Sequence, residues 1–192
     1  ETSPMIYFMQ KLAQSREGKK NIPVEVAMRY GEPEIEQALK EFDKVRIIVG
    51  SYDNAISIRC PFTGEQRAGI IKKWIINNDL SDRIFVSTNN DYLDVVDWLD
   101  SLEQFAYYDE TFIVCEREGT DYISALKSRF NVKSYPIISE ISAAQIRDNL
   151  FDDEFPRMRF IKKNVPQETY EFLESFQNTQ TYHFMWDEYH TV

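Results

Sequence analysis

Lys44-Val45-Arg46-Ile47-Ile48-Val49-Gly50-Ser51, followed after an interval by Pro61-Phe62-Thr63-Gly64-Glu65-Gln66-Arg67, is the stretch on which the fold turns. Val45 to Val49 is a short apolar run interrupted only by Arg46 and closed by Gly50-Ser51, which predicts a buried strand. Thr63-x-x-Gln66 has the form of a capping box: the threonine oxygen caps a helix start and the glutamine side chain reaches back to the cap N–H. A helix is expected from Gly64 to about Asn77. A strand that feeds a capped helix is half of a β-α-β unit.

The same alternation extends outward. Val24 to Met28 reads as a strand. Gly31-Glu32-Pro33 opens a helix from about Glu34 to Phe42, because proline fits the first helical turn. Arg83 to Thr88, Thr111 to Cys115 and Lys133 to Ile138 read as strands. Asp91 to Phe105 repeats Leu93, Val96, Leu99 and Leu102 at helical spacing, with Asp94, Asp97 and Asp100 as a solvated face. Helices are also expected over Tyr122 to Arg129, Ala143 to Leu150 and Gln167 to Gln177. Residues 5–14 read as a short helix that ends in the polar run Ser15 to Asn21. Together these elements predict the α/β class: a Rossmann-like, doubly wound parallel sheet in three α/β/α layers. The expected partition is an N-terminal helical extension over 1–22, the α/β domain over 23–180 and an aromatic tail over 181–192.

Composition narrows the function classes. With 192 residues, 43% hydrophobic and 14% aromatic, the chain can bury a substantial core. Its apolar runs are too short to span a bilayer, and Glu1-Thr2-Ser3-Pro4 carries no secretory pattern, so no membrane partner and a cytoplasmic location are expected. Cys60 and Cys115 have no C-x-x-C or histidine neighbour and read as buried free thiols rather than a disulfide or metal pair. A formal net charge of −10 opposes nucleic-acid binding while leaving room for one small anionic ligand.

In doubly wound sheets ligands bind at the carboxyl ends of the strands, which here are Met28-Arg29, Gly50-Ser51 and Ile138-Ser139. Ser142-x-x-Gln145 repeats the capping box of Thr63-x-x-Gln66, and each helix carries an arginine in its first turns, Arg67 and Arg147. A helix N-terminus beside a guanidinium is a competent phosphate site. The plain alternative is two well-capped helices with surface arginines. Thr181 to His190 is dense in aromatics, fit either to pack on the domain's own core or to dock a protein partner through Phe184 and Trp186. The chain's two histidines, His183 and His190, both lie in this tail. No third ligand joins them, and no metal site is expected.

These motifs, in order over about Val24 to Leu150, resemble the nicotinamide-mononucleotide adenylyltransferases, above all the archaeal type and the adenylyltransferase half of Nudix-linked bifunctional enzymes. Gly50-Ser51 and Pro61-Phe62-Thr63-Gly64-Glu65-Gln66-Arg67 are similar to that family's strand ending in Gly-Ser and its Asn-Pro-Phe-Thr-x-x-x-Arg. Ile141-Ser142-Ala143-Ala144-Gln145-Ile146-Arg147 resembles its Ile-Ser-x-Thr-x-x-Arg, with Ala144 in place of threonine. Glu116 to Ile123 occupies the position of its Gly-His-x-x-Asp segment without the histidine. The family's His-x-Gly-His signature is missing as well: Met28-Arg29-Tyr30-Gly31-Glu32-Pro33-Glu34-Ile35-Glu36 stands there. Glu32, Glu34 and Glu36 would consume the positive end of a helix dipole, at about 0.3–1 kcal/mol each.

The resemblance implies adenylyl transfer from ATP with Mg²⁺ to a mononucleotide, driven by positioning and by cationic and N–H stabilisation of phosphate charge. It assigns catalytic roles to Arg29 and Arg147, and nucleotide binding to Gly50, Ser51, Thr63, Arg67, Ser142, Ala143 and Arg147. Candidate ligands are a mononucleotide, ATP or NAD. Without the histidine pair, the expectation is a nucleotide-binding domain with impaired turnover. Two alternatives stand beside it: an active enzyme in which Arg29, Lys72 or Lys73 replaces the imidazoles, and a non-catalytic interaction scaffold.

Overall fold

A computed structural model describes residues 6–10, 23–27, 32–53, 55–58, 60–106, 111–115, 120–136, 141–151 and 157–191. In chain order the elements are β1 (Ile6–Gln10), β2 (Pro23–Ala27), α1 (Glu32–Glu41), β3 (Val45–Val49), α2 (Gly64–Asn77), β4 (Ile84–Thr88), α3 (Val95–Glu103), β5 (Thr111–Cys115), α4 (Thr120–Lys127), β6 (Asn131–Tyr135), α5 (Ala143–Phe151), α6 (Met158–Asn164), α7 (Gln167–Phe176) and α8 (Gln180–Thr191).

β3 and β4 pair in parallel with Val49 opposite Thr88, so their carboxyl ends lie side by side. β5 and β6 also pair in parallel, and β5 runs beside β2. The side chains of β3 sort the helices into layers. Val45, Ile47 and Val49 meet Ile35 and Ala38 of α1, Phe42 just beyond it, and Ala68, Trp74 and Ile75 of α2. Ile48, one pleat away, meets Leu99 and Leu102 of α3 and Leu126 of α4. Successive strand residues face opposite ways, so this division produces helices on both faces and the three-layer α/β/α architecture expected. β5 repeats the pattern, with Phe112 in one core and Ile113 in the other.

The sheet differs from expectation at its N-terminal strand. The segment 5–14, read as a helix, contains the strand β1. It lies antiparallel between β2 and β3, pairing Phe8 with both Glu25 and Ile48. Ile6-Tyr7-Phe8 is β-branched and aromatic, a composition that favours a strand once both edges find partners. The sheet is therefore mixed, although β2, β3 and β4 still point the same way. α3 begins at Val95 rather than Asp91, because Asp94 caps it by accepting the N–H of Val96 at 2.6 Å. β6 runs over 131–135 rather than 133–138.

A third apolar cluster lies on α5 to α8: Ile146, Leu150, Phe151, Ile161, Leu173, Phe176, Tyr182 and Met185. α6 was not foreseen. It has seven residues, and Arg157 at its start makes no side-chain cap hydrogen bond, so no local signal announces it. The aromatic tail is helical and packs on the chain itself. Tyr182 donates its hydroxyl to the Leu150 carbonyl at 3.0 Å and lies 5.4 Å from the Phe151 ring. Trp186 packs against the same cluster, whereas Phe184 remains 69% exposed. No described helix is long and apolar enough to cross a membrane.

Candidate functional site

The carboxyl ends of β3 and β4 carry a dense hydrogen-bonded constellation. Past Val49 the chain turns through Gly50-Ser51-Tyr52. Ser51 is buried at φ 49°, a left-handed conformation that a non-glycine residue holds only when its surroundings enforce it. Three attachments enforce it here. The Ser51 hydroxyl donates to the Asp91 carboxylate at 2.6 Å. The Tyr52 N–H donates to the Asn89 carbonyl at 3.1 Å, and the Asn89 N–H to the Val49 carbonyl at 2.9 Å. Arg67 supplies the third: its guanidinium donates to the carbonyls of Gly50 at 2.9 Å and Ser51 at 2.5 Å, and its Nε to the Thr63 carbonyl at 3.3 Å.

Arg67 has no exposed surface at all. Arg67 is thus an internal clamp on the strand-end turn, not the surface arginine of the plain alternative. The charge-assisted bonds it makes replace the water that a buried guanidinium gives up.

Both capping boxes form. Thr63 Oγ accepts the Gln66 N–H at 3.1 Å and the Gln66 amide accepts the Thr63 N–H at 2.9 Å. Ser142 Oγ accepts the Gln145 N–H at 3.2 Å, and the Ser142 N–H is returned to Gln145 Oε1 at 2.7 Å. Each box satisfies two groups at its helix start and leaves the N–H groups of the first two helical residues directed off the end: Gly64 and Glu65 in α2, Ala143 and Ala144 in α5. Gly64 has to be glycine, because a Cβ there would collide with the backbone of Tyr52. The turn and the helix start are thereby fitted to each other.

The residues directly before the two caps pack into one apolar cluster. Phe62, immediately before the cap Thr63, lies 5.1 Å from the Phe172 ring and 5.0 Å from the Phe176 ring. Ile141, immediately before the cap Ser142, packs against the same cluster, to which Ile146 also belongs. Ser142, Ala143 and Arg147 are half-buried and Thr63 is exposed.

Other expected participants are placed elsewhere or not described. Arg29, with its neighbours 28–31, lies outside the described residues, as do 116–119 of the segment matching Gly-His-x-x-Asp and the strand end Ile138-Ser139. Lys72 and Lys73 sit in the third turn of α2, about 13 Å along the axis from its start. Lys73 is paired with Glu171 of α7, and hydrogen bonds from Lys73 and Gln167 hold the Glu171 carboxyl below its ordinary value. Glu34 is buried, whereas Glu36 is exposed. Cys60 is half-buried rather than fully buried, its thiol donating to the Phe62 carbonyl at 3.6 Å; the Cys115 side chain lies outside the described residues. Asp94, Asp97 and Asp100 are exposed, and Asp100 pairs with Arg129. Among the described residues no group of three or more His, Cys, Asp or Glu side chains could hold a metal ion.

Sequence reasoning overlooked Asn89 and Asp91. Asn89-Asn90-Asp91 follows directly on a strand, and turn-forming polar residues at a strand's carboxyl end were the available signal.

No protein-family model matches the chain, and no curated protein matches it in sequence. Among solved structures it is similar to a bifunctional NMN adenylyltransferase/ADP ribose pyrophosphatase from Francisella tularensis, complexed with AMP and an Mn ion. The TM-score is 0.67 at 21% identity, over 85% of this chain and 49% of that one. Another structure of a bifunctional enzyme of this description from the same organism gives 0.66 at 20% identity, over 85% and 50%. The chain spans about half the length of these enzymes. At such identity the likeness is one of fold, a Rossmann-like α/β domain.

Proposed function

We propose that this adenylyltransferase-like domain binds a nucleotide at the carboxyl ends of its strands and turns it over slowly or not at all. One observation carries the binding half: Phe62 and Ile141, each directly before a capped helix start, pack into a single apolar cluster. That arrangement supports one anion site served by the N–H groups of α2 and α5 together, with Arg147 of α5 as the cation beside it. The likeness to an enzyme with an NMN adenylyltransferase half makes a mononucleotide, ATP or NAD the first ligands to test.

The impaired half rests on the chain's chemistry. Its only histidines stand at His183 and His190, on α8, and Arg67, the cation of the α2 corner, has its donors on Gly50 and Ser51. One lost donor to developing charge costs about 10²–10³ in rate. Where ATP is the ligand, Mg²⁺ fits as a partner of the triphosphate rather than of a protein cage, since no described carboxylate cluster offers one; bound there, it would neutralise phosphate charge.

Calorimetric titration with ATP, nicotinamide mononucleotide and NAD tests the reading. Binding of at least one, weakened about tenfold by Arg147→Ala, is expected. Absence of binding to all three would leave the scaffold reading. That alternative draws on the exposed Phe184 beside a packed Trp186, and there Phe184→Ala would abolish partner capture without unfolding the chain. Retained turnover would be seen as pyrophosphate release from ATP with Mg²⁺ and a mononucleotide, abolished by Arg147→Ala.

A further inference from the structure

The buried guanidinium of Arg67 is linked to the start of α2 by a continuous mechanical path. It holds the Gly50 and Ser51 carbonyls; Ser51, kept at φ 49°, is held on its other side by Asp91. The next residue, Tyr52, lies so close to Gly64 that no Cβ fits between them. Gly64 and Glu65 then carry the N–H groups that point off the helix end. We infer that Arg67 is a positioning residue for the ligand: with Asp91 it fixes the strand-end turn against α2, so that it governs anion binding without touching the anion. This inference rests on the nucleotide-binding reading and deepens it, because it assigns the contact to helix N–H groups and Arg147 and removes Arg67 from the ligand's shell.

The roles differ in how they scale with phosphate number. A guanidinium on the phosphates favours ATP over AMP, whereas a clamp that sets one helix start affects both alike. Two variants test it. Arg67→Lys keeps the charge and loses the planar fork. Ser51→Gly tolerates the positive φ, removes the hydroxyl held by Asp91, and keeps the test informative should Arg67→Lys fail to fold. Calorimetry with AMP and with Mg-ATP is expected to give affinity losses of about tenfold, equal for the two nucleotides, in each folded variant. Hydrogen exchange over residues 50–53 and 64–66 is expected to quicken in both.

A loss in Arg67→Lys that is several-fold greater for ATP than for AMP would overturn the inference in favour of direct contact. Unchanged affinities beside a lowered Tm would overturn it in favour of a purely structural role. A wild-type protein that binds neither nucleotide retires the nucleotide reading together with the ligand-facing half of this inference. The exchange measurement still decides the clamp, which is refuted if protection over 50–53 and 64–66 stays unchanged.

Discussion

The α2 and α5 helix starts are written in almost the same letters, Thr63-Gly64-Glu65-Gln66-Arg67 and Ser142-Ala143-Ala144-Gln145-Ile146-Arg147, yet their arginines do different things. In both helices the fourth residue after the cap points inward: Arg67 is fully buried and Ile146 is 6% exposed. In α5 the arginine comes one residue later. One residue turns a helix by about 100°, which is enough to carry a side chain out of the core direction, and Arg147 is half-buried. A single position therefore separates a structural clamp from a candidate ligand cation. A capping box plus a nearby arginine is not by itself a phosphate site; the arginine's phase on the helix decides.

The largest expected effect tests this contrast directly. Arg67→Ala leaves the Gly50 and Ser51 carbonyls without their donors inside the core and should cost about 3–5 kcal/mol in denaturant unfolding. Arg147→Ala should cost less than about 1 kcal/mol, as expected for a residue outside the core. Equal losses would erase the distinction between the two corners.

Next comes the residue after each cap. Gly64→Ala forces a Cβ into the Tyr52 backbone and should destabilise by about 1–3 kcal/mol through overpacking. The reverse exchange in α5, Ala143→Gly, should cost at most about 1 kcal/mol, the helix-propensity difference. Thermal unfolding of both variants checks the asymmetry.

The caps themselves should behave alike. Thr63→Ala and Ser142→Ala each remove one accepted N–H and should cost about 1 kcal/mol. A much larger value at one cap would mean that it carries more than its helix end.

The smallest effect concerns acid stability, away from both corners. Burial alone would raise the Glu41 carboxyl, but Lys133, Gln37 and Tyr135 together hold it below its ordinary value. A carboxyl lowered on folding adds stability above its unfolded pKa and loses it as pH falls through the lowered folded value. Lys133→Met should therefore shift the acid-unfolding midpoint slightly upward, and circular dichroism along a pH series would detect it. An unchanged midpoint would mean that this half-exposed pair contributes nothing at acid pH.

Local signals carried much of this protein. Val45–Val49 and Gly64–Asn77 formed at the predicted boundaries because an apolar run closed by Gly50 and a box closed by Gln66 act within a few residues of themselves. From β2 to α5 the order of strands and helices was legible for the same reason, and with it the three-layer architecture. Where the reading failed, partners distant in sequence were in control. Ile6–Gln10 became a strand because β2 and β3 offered it two edges. α6 formed, without a cap of its own, where Ile161 fills a cluster shared with Leu150 and Leu173. Asp91 found its role only when β4 brought it to Ser51, in the turn after β3.

By itself the sequence determined the strand Val45–Val49 and where α2 and α5 begin; each follows from residues a turn or less apart. Only the tertiary structure decided that Arg67 faces a buried turn while Arg147 does not, and that Phe62 and Ile141 share one cluster. Those outcomes depend on which surfaces meet when the sheet and the C-terminal helices pack, and burial is a property of that meeting rather than of any one segment.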